Sequence, residues 1–224
     1  MNKFIEWHKK LIDDARKQFG LSKYSVMWIS FLKGIVLTLI FFAVFQAKAE
    51  ILNIDKGIYQ VMYDTKLEQP LLVSYKVTNR PKNADRKGMN FKKEPGIHTS
   101  DDKDYVNNVW DKGHMAPAAH FSDSKENLLT TFSYLNSALQ HEKLNRGAWR
   151  FLEAEVRKLS EGADIEVKNI IMFSENSEKL PTGATVPDGF QKILYFPSTG
   201  WKKCYFFTNE APDMKWQEAE YECE

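Results

Sequence analysis

The segment NRGAWRFLEAEVRKLSEG, residues 145–162, decides the fold class because it is the clearest helical pattern in the chain. Apolar residues recur in it at the spacing of one helix face, at Trp149, Leu152, Val156 and Leu159. Asn145 stands at its start, where Asn is favoured as a cap, and Gly162 follows as a stop signal. The sequence therefore predicts a helix over residues 145–162.

Strand patterns stand on both sides of this helix. GIYQVMYD (57–64) and PLLVSYKVT (70–78) are β-rich runs joined by a polar connection, which predicts a hairpin. VKNIIMFSE (167–175), QKILYFP (191–197) and CYFFTNE (204–210) read as strands after the helix. Strands, then a helix, then strands indicate an α+β fold with a largely antiparallel sheet.

Charge is unevenly distributed along the 224 residues, although the net charge is only +1. Residues 1–49 hold eight basic and three acidic side chains, a net charge of +5, which leaves −4 for residues 50–224. A polyanion would therefore have to bind a local basic cluster. The polar segment 79–104 supplies one, which could equally be a solvated loop: Arg80, Lys82, Arg86, Lys87, Lys92 and Lys93.

The basic N-terminal region surrounds the apolar run GIVLTLIFFAVF, residues 34–45. Twelve residues is short of the roughly 20 that span a membrane but suits a signal peptide. Ala47-Lys48-Ala49 has the A-x-A form that signal peptidase cuts, and Met27 would start a well-proportioned signal peptide. An uncleaved membrane anchor within residues 27–47 and a buried core helix are the alternatives.

We therefore expect three regions. Residues 1–26 form an N-terminal extension that is cytoplasmic or not translated, residues 27–49 a signal peptide or membrane anchor, and residues 50–224 the working domain. Both main interpretations of the apolar run place that domain outside the cytoplasm. It would be periplasmic, secreted, or anchored with the domain facing the periplasm or exterior.

The chain has two cysteines, Cys204 and Cys223, both close to the C-terminus. In an oxidising compartment they could form a disulfide that ties down the C-terminal segment. The sequence alone leaves both the disulfide and two free thiols open. It contains no Cys-x-x-Cys motif or Cys/His cluster that would indicate zinc.

Two short motifs resemble the signature of the DNA/RNA non-specific endonucleases, a ββα-metal or His-Me finger family. The family pattern is Asp-Arg-Gly-His with Met-Ala-Pro, which stands here as DKGHMAP, residues 111–117. Further along come an Asn, a Gln, Asn-Arg-Gly-x-Trp, and a Glu and an Arg on the following helix. These match Asn136, Gln140, Asn145-Arg146-Gly147, Trp149, Glu153 and Arg157. The resemblance covers about residues 57–212 and implies a ββα-metal finger embedded in the α+β fold.

The resemblance also implies a role for each motif residue. His114 would be the general base, since a neutral imidazole can take a proton from water near neutral pH. Asn145 would be the direct protein ligand of Mg²⁺ or Mn²⁺, and Glu153 would hold a metal-bound water. Asn136 would help to organise the metal site or bind the phosphate. Lys112 replaces the commoner Arg and keeps its positive charge, but it lacks the bidentate fork.

The implied function is hydrolysis of DNA and RNA to 5′-phosphorylated products by a metal-dependent endonuclease. Contacts with phosphates position a nucleic acid without reading its bases, so low sequence specificity follows. We expect these contacts from Lys112 and from Arg80, Arg86, Lys87, Lys92 and Arg146. Two alternatives stay open: a weakly catalytic nuclease fold that serves as a nucleic-acid-binding or DNA-uptake module, and a membrane-tethered interaction protein.

Overall fold

A computed structural model of the chain describes residues 2–45, 50–211 and 213–223. The chain divides into two units, residues 1–48 and residues 49–224. The first unit consists of helices α1 (Asn2–Gln18) and α2 (Lys23–Phe45). None of the helices in the described segments is both long and apolar enough to cross a membrane. The predicted signal-peptidase site, Ala47-Lys48-Ala49, lies outside the described residues.

The second unit is built on a seven-stranded antiparallel sheet in the order β1-β2-β3-β6-β7-β8-β9. Strands β4 and β5 form a separate antiparallel pair. The strand bounds are β1 Ile51–Asp55, β2 Tyr59–Asp64, β3 Gln69–Val77, β4 Trp110–His114, β5 Ser137–His141, β6 Ile165–Met172, β7 Gly189–Phe196, β8 Trp201–Thr208 and β9 Glu220–Tyr221. The longer helices of this unit are α3 (Lys125–Thr131) and α4 (Arg150–Leu159), and a single helical turn, Glu142–Leu144, precedes the segment that leads into α4.

This architecture confirms the predicted fold class. The two early β-rich runs form the β2–β3 hairpin, and the three later runs correspond to β6, β7 and β8. β6 shows why the sequence pattern worked, since alternate residues are buried: Ile165, Val167, Asn169 and Ile171.

The helix predicted over residues 145–162 is shorter in the structure than the sequence pattern indicates. Regular helix is confined to α4, and a π-helical turn over Asn145–Trp149 precedes it, with non-helical dihedral angles at Gly147 (φ −105°, ψ −118°). Asn145 has helical dihedral angles itself (φ −58°, ψ −47°), so the prediction that it caps this helix was wrong. The amide of Asn145 instead binds another side chain, as described below.

Helix α4 is held to the large sheet by aromatic and aliphatic packing. Trp149 is fully buried, with its ring centroid 5.5 Å from Phe190 and 5.7 Å from Phe207. Leu152 and Val156 are buried one and two turns further along. Burial of each such side chain contributes about 1.5–3 kcal/mol, so this face fixes the helix that carries part of the site.

Side-chain amides dock the β4–β5 pair onto the large sheet. Gln69, in β3, accepts a hydrogen bond from the backbone amide of Leu139 at 2.9 Å. Asn209, just after β8, accepts one from the amide of His141 at 2.8 Å and donates one to the carbonyl of Leu139 at 2.9 Å. These contacts satisfy buried backbone groups on the free edge of β5, so the small sheet is anchored without joining the large one.

The structure joins Cys204, in β8, to Cys223, after β9, through a disulfide. The Cα atoms of the two residues are 5.4 Å apart, and the bridge closes a loop of 19 residues in sequence separation. It therefore holds the end of the described chain against the edge of the large sheet.

Candidate active site

A cleft of about 890 Å³ opens where β4 meets the helical segment 145–157. It combines basic, acidic, aromatic and amide side chains, which include Arg86, Phe91, Asp102, Tyr105, Trp110, Asp111, Lys112, His114, Phe132, Asn145, Arg146, Arg150, Glu153 and Arg157. Residues of both sequence motifs, of the helix, and three residues of the polar segment 79–104 (Arg86, Phe91 and Asp102) thus line one concave surface. This is the arrangement that a catalytic site for a large anionic substrate needs.

His114 ends β4 and lies between two aromatic rings. Its ring centroid is 4.7 Å from that of Phe91 and 4.9 Å from that of Phe132. Burial lowers the pKa of His114 to about 3, and the positive charge of Arg86 adds to the shift. The imidazole is therefore neutral near pH 7, and its buried Nε2 atom has no hydrogen-bond partner. It is in the state that a proton acceptor requires.

Gly113 is required by close packing beneath His114. A Cβ atom at this position would lie 2.4 Å from Oε1 and 2.6 Å from Cβ of Gln140, which is fully buried in the paired strand β5. The Gly-His sequence thus lets the two strands approach closely while His114 projects into the cleft.

The segment after His114 is held by two buried amide side chains. Asn136 accepts a hydrogen bond from the amide of Ala116 at 2.7 Å and donates to the carbonyls of Ala116 and Thr131 at 2.9 Å each. Asn169 donates to the carbonyl of Met115 at 2.5 Å. The sequence predicted Asn136 as a catalytic residue, but its amide is fully buried and engaged with backbone. We therefore assign it to positioning the segment that follows His114.

Asp111 organises the part of the cleft that holds Asn145 and Arg146. Its carboxylate accepts hydrogen bonds from Nδ2 of Asn145 at 2.8 Å and, bidentately, from Nε and Nη2 of Arg146 at 2.9 and 2.7 Å. Arg146 also pairs with Glu142 at 3.0 Å. Because Asp111 takes the amide nitrogen of Asn145, the amide oxygen is left as the free ligand atom on that side chain.

Glu153 lies on helix α4, eight residues after Asn145, and lines the same cleft. Asn145 alone would supply too few ligands for a cation site. Burial raises the pKa of Glu153, while the positive charges of Lys192 and Arg157 oppose the shift. Lys192 is fully buried, with its ammonium 3.9 Å from the ring centroid of Trp149. The Oε1 atom of Glu153 is buried and has no hydrogen-bond partner.

These donors fit a hydrated divalent cation. An amide oxygen held in place by Asp111 and an unpartnered carboxylate oxygen of Glu153 are hard oxygen ligands, the type that Mg²⁺ and Mn²⁺ prefer. Among the described residues there is no group of three or more His, Cys, Asp or Glu side chains that could hold a metal ion. The fit therefore rests on few protein ligands and on waters, which Mg²⁺ retains readily.

The structure brings together only part of the predicted nucleic-acid-binding set. Arg86 and Arg146 line the cleft. Arg80 lies in a different depression and pairs with Asp123 at 3.3 Å, and Lys87 and Lys92 line a third depression. Arg80, Lys87 and Lys92 are thus placed outside the cleft, because neighbours in an irregular loop need not face the same side.

Lys112 lines the cleft, but the carboxylate of Asp102 already binds its ammonium. Its ammonium forms an ion pair with Asp102 and lies 5.4–5.7 Å from the ring centroids of Tyr134, Tyr105 and Phe91. His120 is buried, and its Nε2 donates to the backbone carbonyl of Glu153 at 3.1 Å.

The sequence did not predict the roles of three residues in this cleft. It did not assign Asp111 as the partner of Asn145, Asp102 as the partner of Lys112, or Arg150 as a cleft cation. Arg150 had a readable signal, since it lies three residues before Glu153 and seven before Arg157, which is the spacing of one helix face. The two aspartates had none, because the contacts are between segments distant in sequence.

Comparison with known proteins agrees with this fold. The family model described as DNA/RNA non-specific endonuclease matches residues 44–224. A nuclease of Serratia marcescens is 31% identical over 151 residues, which cover 62% of this chain and 52% of that protein. The mitochondrial nuclease EXOG of Danio rerio is 35% identical over 81 residues, which cover 35% of this chain and 24% of EXOG. The chain thus spans about a quarter to a half of the length of these relatives.

The fold also matches a solved structure, that of EndoG in a complex with EndoGI that addresses the mechanism of EndoG inhibition. The TM-score is 0.67 at 24% sequence identity, with 76% of this chain and 80% of that chain covered. The antiparallel sheet with an inserted β4–β5–helix unit is therefore that of a ββα-metal nuclease. Since the family model covers well over half of the sequence, the chain belongs to the DNA/RNA non-specific endonuclease family.

Proposed function

We propose that this protein is a metal-dependent endonuclease that hydrolyses phosphodiester bonds of DNA and RNA to 5′-phosphorylated products. The observation that carries the proposal is one cleft that holds two elements of the required chemistry. The neutral imidazole of His114 and the amide of Asn145, oriented by Asp111, line the same cleft. Cationic side chains line the same cleft, and they suit the phosphates of a nucleic acid.

In the proposed reaction His114 accepts a proton from a water molecule whose oxygen attacks the phosphorus atom. The bond between phosphorus and the 3′ oxygen breaks, so the phosphate stays on the 5′ oxygen, and the leaving 3′ oxygen takes a proton from a second water molecule to become a hydroxyl. Arg86 and Arg157 supply positive charge to the phosphate oxygens from the cleft wall. The negative phosphate raises the pKa of His114 from its low value and so strengthens it as a base.

A divalent cation would be held by the amide oxygen of Asn145 directly and by Glu153 through water. When bound, it supplies Lewis-acid stabilisation of charge on the leaving oxygen and on a non-bridging oxygen. We propose Mg²⁺ or Mn²⁺ because both ligands are hard oxygen donors.

We further propose that the protein is exported, as a periplasmic, secreted or outward-facing anchored protein. The signal-peptide-like run over residues 34–45 supports this, as does the Cys204–Cys223 disulfide, since disulfides persist in oxidising compartments. Mass analysis of the N-terminus of the exported chain tests it. A start at Glu50 is the expected result, and a chain that keeps its N-terminus and stays in the cytoplasm contradicts it.

A weakly catalytic nucleic-acid-binding or DNA-uptake module is the second candidate function. One observation favours it: Lys112, which replaces the family's usual Arg, is paired with Asp102. Retained binding of DNA without metal-stimulated cleavage would identify this function.

The test is a cleavage assay of the full chain on double-stranded DNA, single-stranded DNA and RNA, with Mg²⁺ and with EDTA. We expect cleavage only with the metal, and products that polynucleotide kinase labels only after phosphatase treatment. His114→Ala and Asn145→Ala should each abolish cleavage while the circular dichroism spectrum is unchanged. Lys168→Ala, an exposed position on β6, is the matched control. If both site variants cut as well as wild type, the proposed mechanism is wrong.

A further inference from the structure

The ammonium of Lys112 already has interaction partners in the absence of a substrate. Three aromatic rings surround its ammonium at 5.4–5.7 Å, and the Asp102 carboxylate neutralises it. An ammonium over aromatic faces and beside a carboxylate has both of its preferred kinds of partner. A phosphate that binds Lys112 must therefore share the ammonium with Asp102 or displace it.

Asp102 is held in place by groups that do not depend on Lys112. The hydroxyl of Tyr134, a residue that is 2% exposed, donates a hydrogen bond of 2.6 Å to Oδ1 of Asp102. The short 3₁₀ turn Asp102–Tyr105 begins at Asp102 and is capped by Asp101. Asp102 is thus anchored, whereas Lys112 reaches it through a flexible four-carbon stem.

The other ion pair of the cleft does not explain this one. The pairing of Arg146 with Asp111 accompanies the contact that orients Asn145, so it belongs to the catalytic arrangement. Asp102 contacts neither His114, Asn145 nor Glu153 in the hydrogen bonds and ion pairs of the described residues. No ion pair within those residues includes Arg86, Arg150 or Arg157, so three cleft cations face a phosphate without such a competitor.

We propose that Asp102 competes with the substrate phosphate for Lys112 and thereby weakens nucleic-acid binding in the cleft. The proposal rests on the proposed function, since it requires that the cleft binds a polyanion. The Asp102 side chain is 80% exposed, and ion pairs of such exposed groups contribute little in water. The competition therefore lowers the affinity for the nucleic acid by about two- to fivefold, and it does not block the site.

A double-mutant cycle on binding tests the proposal. Wild type, Asp102→Asn, Lys112→Gln and the double variant are titrated with a fluorescein-labelled 20-mer DNA in EDTA, where cleavage does not interfere. We expect Asp102→Asn to lower Kd about two- to fivefold and to steepen the dependence of log Kd on log salt by about one phosphate contact. In the Lys112→Gln background the same substitution should change Kd much less, because no ammonium is released.

Two outcomes overturn the proposal. If Asp102→Asn lowers Kd equally in both backgrounds, Asp102 acts only as a negative charge at the cleft. If it raises Kd, Asp102 positions Lys112 for the phosphate. Glu142→Gln is the matched control, since it removes a carboxylate beside Arg146 and its effect should not depend on Lys112.

The proposed function and this proposal can fail separately. With Mg²⁺, Asp102→Asn should lower KM for plasmid cleavage and leave kcat unchanged. If wild type binds the 20-mer tightly but does not cleave it, the proposed enzymatic function is wrong. The double-mutant cycle on binding still tests the competition by Asp102 in that case. Absence of binding by wild type at low salt overturns both.

Discussion

Asp111 and Asn145, 34 residues apart in sequence, are joined by a hydrogen bond of 2.8 Å from the Asn145 amide nitrogen to the Asp111 carboxylate. An amide side chain can present either its oxygen or its nitrogen, and only the oxygen can bind a cation. Asp111 decides between them, because a carboxylate can only accept. The contact therefore leaves the amide oxygen of Asn145 as the ligand atom for the proposed metal.

Asp111→Ala should weaken metal activation more than it weakens the fold. Groups that orient a metal ligand typically contribute 10- to 100-fold to metal affinity, so we expect the Mg²⁺ concentration for half-maximal cleavage to rise by about this factor. A Mg²⁺ titration of the cleavage rate measures it. Asp111→Asn should raise this Mg²⁺ concentration less than Asp111→Ala does, since its amide oxygen can still accept a hydrogen bond from Asn145.

Glu142→Gln serves as the control for this substitution. It removes the second carboxylate from Arg146, at 3.0 Å, but leaves the Asp111–Asn145 hydrogen bond in place. Its Mg²⁺ requirement should match that of wild type. An equal shift in Glu142→Gln and Asp111→Ala would mean that Arg146, and not the orientation of Asn145, is responsible.

Gly113→Ala should both destabilise the protein and displace His114. The added Cβ atom would lie 2.4 Å from Oε1 of Gln140, so the paired strands would have to separate. Overpacking of a core contact of this kind costs about 1–3 kcal/mol. Urea denaturation measures the loss, and cleavage should fall by more than the unfolded fraction explains. Gly162→Ala is the control, since its added Cβ atom would approach nothing closer than 3.8 Å, and a similar loss there would contradict the packing argument.

The elements that the sequence predicted are those whose burial follows a local period. β6 alternates between buried and exposed residues along its length, and α4 buries Leu152 and Val156 at helical spacing. The sequence pattern did not predict β4 and β5. Both strands are short, and β5 is buried almost throughout, so it shows no alternation. Its edge is bound by the side chains of Gln69 and Asn209, which lie about 70 residues away.

The same distinction applies to the site. His114 and Asn145 could be found because they stand in short motifs. Arg80, Lys87 and Lys92 were assigned to the nucleic acid from their nearness in sequence to Arg86, and the folded loop separates them from it. Nearness in sequence predicts a shared surface on a helix or strand, where the direction of side chains is periodic, but not in an irregular loop.

The disulfide should contribute mainly to stability. The chain-entropy relation for a loop of about 19 residues gives a stabilisation of about 3 kcal/mol. The variant with both Cys204→Ser and Cys223→Ser should therefore lose about 2–4 kcal/mol in urea denaturation, while cleavage under native conditions is kept. Dithiothreitol should destabilise wild type by a similar amount and leave the double variant unchanged. Dithiothreitol that destabilises both equally would show that the bridge is not the cause.

Lys192 should set the pH range in which Glu153 is ionised. Burial raises the pKa of Glu153, and the positive charge of Lys192 opposes that shift, so Lys192→Met removes the opposing charge and raises the pKa further. Because Glu153 is proposed to act as a carboxylate, the acid limb of the pH–rate profile should move to higher pH. Activity that the variant loses on the acid side should thus be recovered as the pH is raised. Lys168→Met, at an exposed position of the neighbouring strand β6, should leave the profile in place. A uniform loss of activity at every pH in Lys192→Met, without a displaced limb, would instead assign Lys192 to packing against Trp149.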